Sequence, residues 1–412
     1  MKLEPKDHAW LARADIAQLF AAFPEGALRF VGGCVRNTLL GAPVDDIDLA
    51  TPLVPDAVEE ALAQAGIRSV ATGKAHGTLT AVIDGVPFEI TSLRKDVETD
   101  GRRAVVAFTE DWTEDAQRRD FTLNALYADQ AGHVFDPTGQ GLEDLKARRL
   151  RFIGEAQDRI SEDYLRILRY FRFVAYYVAE APLDNAALTA CRDGRKGLKG
   201  LSAERVWKEI KKLLSAPDPA RAVRVMLQQD ILETLLPEAS NVDGLEHLVG
   251  LEKSENLEPD PLLRLMAMSA REPLPMALLC KRLKMSNAES DRLRGWSDSA
   301  LPLSPFVSER DQYEAIYKMG KSVASDRAVL RAAGETESEK RSVWLAFVGR
   351  IQSWDIPEFP VTGKDLEEAG VLPGPEMGRL LKALEALWIR SGFSAGRPQL
   401  LMALSLLNRK EK

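Results

Sequence analysis

"FVGGCVRNTLLGAPVDDIDLAT", Phe30 to Thr51, sets a glycine pair, a short helical run and three aspartates in one stretch. "ALRFVGG" reads as a strand entering a glycine turn, "CVRNTLLG" as a short helix closed by Gly41, and "DDIDLAT" as the next strand. Strand side chains alternate between two faces, so Asp46 and Asp48 are expected to point the same way with Cα atoms about 7 Å apart, and Asp45 to point away. Two neighbouring carboxylates repel unless cations stand between them, and hard oxygen ligands suit Mg²⁺ bound together with phosphates. Gly32 and Gly33 supply the complement: they let backbone amides approach a phosphate, and the helix behind them adds its positive N-terminal dipole. Either half alone matches many solvated surfaces. Side by side, they give the geometry of phosphoryl transfer through two metal ions about 4 Å apart.

Outward from this stretch, β-type and helical runs alternate up to about residue 146. "TLTAVIDGVPFEIT" is the clearest, two alternating strands joined by Asp84-Gly85. From about residue 155 the pattern is almost wholly helical, broken at "APDPA", "EPDP", "REPLP", "LPLSP" and "VLPGPE". The expected fold class is therefore α+β, an α/β head followed by all-α segments, and 412 residues are enough for several modules.

The net charge of -7 argues against a polyanion-binding surface all round. Residues 146 to 212 differ, with sixteen Lys and Arg against nine Asp and Glu; this local +7 leaves -14 for the rest and marks either a nucleic-acid track or a solvated helical surface. Cys34, Cys191 and Cys280 stand at no metal-ligand or redox spacing, and no long apolar run or N-terminal apolar segment occurs. A cytoplasmic protein without membrane contact is expected.

Further along, "RRDFTLNAL" puts Arg118, Arg119 and Asp120 at a helix start, which on its own reads as capping. In "EDYLRILRYFRF" the helical period sets Asp163, Arg166, Arg169 and Arg172 along one half of a helix, with Tyr164, Ile167, Leu168 and Phe171 on the other. "LRKDVETDGRRAVV" reads as a polar loop between strands, and Glu89 on "FEIT" faces either the acid pair or solvent. His8, His76, His133 and His247 form no metal-binding pattern, and His76 reads as a structural hydrogen-bonding residue.

These motifs together, "VGGCVRNTLLGAPVDDIDLAT", "GKAHGTLTA", "FEITSLRKDVETDGRRAVVAFTEDW", "DAQRRDFTLNAL", "FDPTGQGLEDL", "RISEDYLRILRYFRF" and "LSAERVWKEIKKLL", resemble the class II tRNA nucleotidyltransferases, or CCA-adding enzymes, and their relatives the bacterial poly(A) polymerases. The resemblance covers roughly the first half of the chain, the remainder matching only in being helical. It implies a polymerase-β-like nucleotidyltransferase head at 1–146, a base-selecting and RNA-binding neck at 147–216, a body at 217–330 and a tRNA-binding tail at 331–412. It implies transfer of CMP, CMP and AMP from CTP and ATP to the 3′ acceptor end of tRNA with two Mg²⁺ ions, and no obligate protein partner.

By the same resemblance, Asp46 and Asp48 are catalytic and hold metal, while Gly32, Gly33, Arg36 and Arg119 hold phosphate and nucleotide. Asp120 and Asn124 lie near the ribose, Asp115 orients the arginines, and Asp163 and Arg166 select the base beside Arg169 and Arg172. Cytosine and adenine each pair an exocyclic amine donor with a ring-nitrogen acceptor, a pattern that a carboxylate and a guanidinium match and that uracil and guanine reverse. The polar loop implies full CCA addition. One departure is Asn37, where the family has Asp, keeping hydrogen bonds but no charge. The remaining readings are a poly(A) polymerase on this scaffold and a catalytically silent tRNA-binding module; intact Asp46 and Asp48 count against the second.

Overall fold

The computed structural model describes residues 1–100, 103–178, 180–298 and 301–407. Its strands are β1 (Arg29–Val31), β2 (Asp48–Thr51), β3 (Arg68–Gly73), β4 (Thr78–Ile83), β5 (Val86–Ser92), β6 (Arg94–Asp100), β7 (Arg103–Phe108), β8 (Tyr127–Ala128) and β9 (Val134–Phe135). Seven of them form one mixed sheet in the order β3-β4-β5-β2-β1-β8-β9. β2 runs parallel to β5 and antiparallel to β1, so the acid strand lies inside the sheet. The β4–β5 hairpin turns through Asp84 and Gly85, both at positive φ, the conformation that twists two strands into register.

"DDIDLAT" is only partly strand: β2 begins at Asp48, and Asp45 and Asp46 precede it. The reason is topological. β1 ends at Val31 because Gly32, at φ 70°, turns the chain into the Gly33–Leu40 helix, so residues 45 to 47 have no β1 neighbour to pair with. "LRKDVETDGRRAVV" is not a plain loop either: β6 and β7 form a separate antiparallel ribbon, while Gly101 and Arg102, at its expected tip, lie outside the described residues.

From residue 156 onward the elements are helical. The chain divides into two compact units, one of residues 1–245, 258–269 and 281–285, the other of 246–257, 270–280 and 286–412. The sheet, the Leu165–Phe173 helix and the Ala203–Leu214 helix lie in the first. In the second, Leu366, Leu384, Trp388 and Leu404 form an apolar core, and the Lys321–Ala333 helix runs across residues 330 and 331. No helix among the described residues is long and apolar enough to cross a membrane. All three cysteines are free and buried.

Candidate active site

Gly32 caps the helix that follows β1, and its left-handed φ disfavours any residue with a Cβ. A Cβ there would also sit 3.5 Å from the Asn124 carbonyl and 3.8 Å from the Arg119 guanidinium. The helix ends at Gly41, again left-handed. The glycine turn thus opens onto a cleft of about 480 Å³ lined by Gly32, Gly33, Arg36, Asp48, Arg118, Arg119, Asp120, Asn124, Asp163, Arg166, Arg169, Arg172 and Arg205. All but one of the metal- and nucleotide-binding residues expected at the site line this one space. The other, Asp46, lines an adjoining hollow that Asp48 also borders.

Asp48 pairs in parallel register with Glu89 across β2 and β5, which brings Glu89, itself exposed, beside the acids. Asp45 borders the same hollow, contrary to the expectation that it points away, because it precedes the strand and escapes the alternation. Burial, then the charges of Glu89 and Asp46, push the Asp48 carboxyl above its ordinary value, and the opposing pull of Arg119 does not offset them. Among the described residues, Asp46, Asp48 and Glu89 make no ion pair with an Arg or Lys, and no three His, Cys, Asp or Glu side chains close around one point. This donor set fits a hard divalent cation that keeps positions open for ligands from a substrate.

The other wall is arginine-rich, and its charges are engaged. Asp115 accepts from Arg118 Nε at 3.0 Å, Arg119 Nη2 at 2.9 Å and the Tyr127 hydroxyl at 2.7 Å. Asp120 is buried, accepting from Arg169 Nε at 2.8 Å and Asn124 Nδ2 at 3.1 Å. Burial alone would raise its carboxyl, but Arg169 and the hydrogen bonds overcome that and hold it below the ordinary value. Arg36 donates to Asn124 Oδ1, to Asn37 and to the Tyr177 hydroxyl at 2.7 Å, with its guanidinium over the Tyr177 ring.

Asp163 is not on the arginine helix. It terminates the Ala156–Glu162 helix, and the next helix starts at Leu165, whose amide Asp163 caps at 3.0 Å. Its preference for capping over mid-helix positions explains the break. Arg166, Arg169 and Arg172 do share the cleft face. Arg166 pairs with Glu162, Arg172 with Glu209 at 2.7 Å, and Asp163 with Arg205 at 2.6 Å. Glu162 was visible as the residue four before Arg166. Tyr177 and Arg205, from a π-turn at Val174–Val178 and a later helix, carry no local signal.

The family model described as the Poly A polymerase head domain matches residues 28–151, and one described as the probable RNA and SrmB-binding site of polymerase A matches 182–242. The CCA tRNA nucleotidyltransferase 1, mitochondrial, of Danio rerio is 33% identical over 98% of this chain and 94% of its own length. The CCA-adding enzyme of Streptococcus pyogenes serotype M2 is 32% identical over 86% of this chain and 87% of its own. Among solved structures, the Bacillus stearothermophilus CCA-adding enzyme in complex with CTP aligns with TM-score 0.72 and 27% identity over 100% of this chain and 99% of that one. The Thermotoga maritima CCA-adding enzyme complexed with tRNA shares the fold with TM-score 0.64 and 20% identity, over 98% of this chain and 96% of that one. With near full-length identity above 30% to curated members, the chain belongs to the CCA-adding tRNA nucleotidyltransferase family.

Proposed function

We propose that this protein adds CCA to the 3′ end of tRNA, using CTP and ATP and releasing pyrophosphate. The observation that carries it is the single cleft with Asp48 on one wall and Asp163 and Arg166 on the other, in a chain of this family. The 3′-hydroxyl oxygen forms a bond to the α-phosphorus as the bond to pyrophosphate breaks. Asp46 and Asp48 would hold Mg²⁺, two ions in the finer reading, which when bound supply charge neutralisation and an activated hydroxyl. Gly32 and Gly33 offer amides to the triphosphate, and Arg36 and Arg119 add charge beside it. Asp120 and Arg169 brace the nucleotide side, while Asp163 accepts from the amine shared by cytosine and adenine as Arg166 donates to the ring nitrogen.

The division into head at 1–146, neck at 147–216, body at 217–330 and tail at 331–412 belongs to this proposal, with the basic 146–212 stretch as the RNA track. Three buried free cysteines fit a reducing compartment, cytoplasmic or mitochondrial. The test is to incubate the protein with tRNA ending before CCA and all four NTPs, and to sequence the 3′ ends. CCA ends are expected; a long A tail favours a poly(A) polymerase, and no extension favours a silent tRNA-binding protein.

A further inference from the structure

We infer that Asn37 is a positioning residue for the acid segment, and that in this chain its side-chain amide, in place of the carboxylate usual in the family, does the positioning. The inference rests on the reading of Asp46 and Asp48 as cation ligands. The Asn37 Oδ1 accepts from Arg36 Nη2 at 2.8 Å, from Arg36 Nε at 3.1 Å and from the Tyr177 hydroxyl at 3.4 Å. The Tyr177 oxygen itself accepts from Arg36, which leaves its proton for Asn37. Three donors on one side fix the amide orientation: oxygen toward Arg36 and Tyr177, nitrogen away from them. The nitrogen then donates to the Pro43 carbonyl at 2.7 Å.

The same residue holds the segment a second time, since its backbone carbonyl accepts from the Ala42 amide at 2.9 Å. Between Gly41 and Asp48 the chain has no regular secondary structure, and Pro43 has no N–H to offer. Sheet pairing takes over only at Asp48. Asn37 is therefore the upstream anchor of the stretch that delivers Asp46, and it ties that stretch to Arg36 on the phosphate-turn helix. A carboxylate at position 37 keeps the Arg36 bonds but turns an oxygen toward the Pro43 carbonyl, two acceptors at hydrogen-bond distance with no proton between them. It also adds a negative charge to a segment that already carries Asp45, Asp46 and Asp48.

The test compares N37D and N37A with the parent protein and with D48A. Mn²⁺ binding is measured directly by electron paramagnetic resonance, and the Mg²⁺ concentration giving half-maximal CMP addition is measured at saturating CTP. Both variants are expected to bind Mn²⁺ roughly three- to tenfold more weakly and to need more Mg²⁺ by a similar factor, the effect of losing the bond to Pro43 that both variants share. In N37D, which keeps the Arg36 bonds, the KM for CTP at saturating Mg²⁺ and the melting temperature without cation should stay near parental values, which separates positioning from general damage. N37A is the safeguard against a charge effect, since it removes the amide and adds nothing. Parental Mn²⁺ affinity in both variants, or tighter binding in N37D, overturns the inference. A parent protein that binds Mn²⁺ no better than D48A removes the cation reading beneath it instead.

Discussion

On the acid wall Asp46, Asp48 and Glu89 border one hollow with no Arg or Lys paired to them among the described residues, whereas across the cleft charge meets charge: Asp163 with Arg205, Arg166 with Glu162, Arg169 with Asp120 and Arg172 with Glu209. Asp48 and Asp120, one from each wall, shift in opposite directions. Asp48 lies above its ordinary value, so ionising it costs the folded state, and the cost lifts as pH falls through its folded value or as a cation binds. Asp120 lies below, so its stabilisation is present above its unfolded value and is lost as pH falls through the folded one. One wall is thus assembled for a ligand still to come, and the other is already braced by its own ion pairs.

The largest effect expected from breaking this contrast is at the acid wall. Asp48→Ala should lower nucleotide addition by about 10²–10³-fold or more, because a ligand to the charge-neutralising cation is gone. The melting temperature at neutral pH should not fall, since an unfavourably ionised carboxylate goes with it, and stabilisation by Mg²⁺ should shrink. Activity within a few fold of the parent, or a clear loss of stability, would contradict the assignment. The opposite stability result is expected at Asp120→Asn, which strips the partner from a partly buried Arg169. Urea unfolding at pH 7 should show a loss of about 2–3 kcal/mol, below the full cost of breaking a deeply buried pair because Arg169 is one-third exposed. The gap between variant and parent should close as pH drops below the ordinary carboxylate range; a gap constant with pH would mean that the charge of Asp120 contributes nothing.

Elements decided by local chemistry are legible in the sequence, and those decided by topology are not. The glycine turn, the Asp84-Gly85 hairpin and the arginine face of the Leu165–Phe173 helix follow from residues a few positions apart, and each is present in the fold. That Asp46 stands outside the strand depends on where β1 ends, and that Glu89 stands beside Asp48 depends on a parallel register, neither of which a periodicity can report. The helical period sets Asp163 on the helix, but capping chemistry places it in the turn before Leu165. Tyr177 meets Arg36 across 141 positions and Arg205 meets Asp163 across 42, separations that only the folded chain brings together.

The smallest effect is also the one that sharpens the contrast most, because it asks what the braced wall is for. Asp163→Ala removes a carboxylate that lines the cleft and pairs with an Arg205 that is itself half-exposed, so little stability should go with it. If the carboxylate accepts from the amine common to cytosine and adenine, its loss costs a charge-assisted hydrogen bond of about 1.5–3 kcal/mol, and CTP and ATP use should fall roughly tenfold or more. UTP should not fall in step, since in the parent its carbonyl oxygen faces a repelling carboxylate and the substitution lifts that penalty. The quantity to measure is the ratio of CTP to UTP incorporation on tRNA lacking its end, each nucleotide supplied alone. A ratio unchanged from the parent while the overall rate drops would make Asp163 a helix cap and nothing more, and base choice would then have to come from the arginines, whose fixed donors favour the carbonyl-bearing bases.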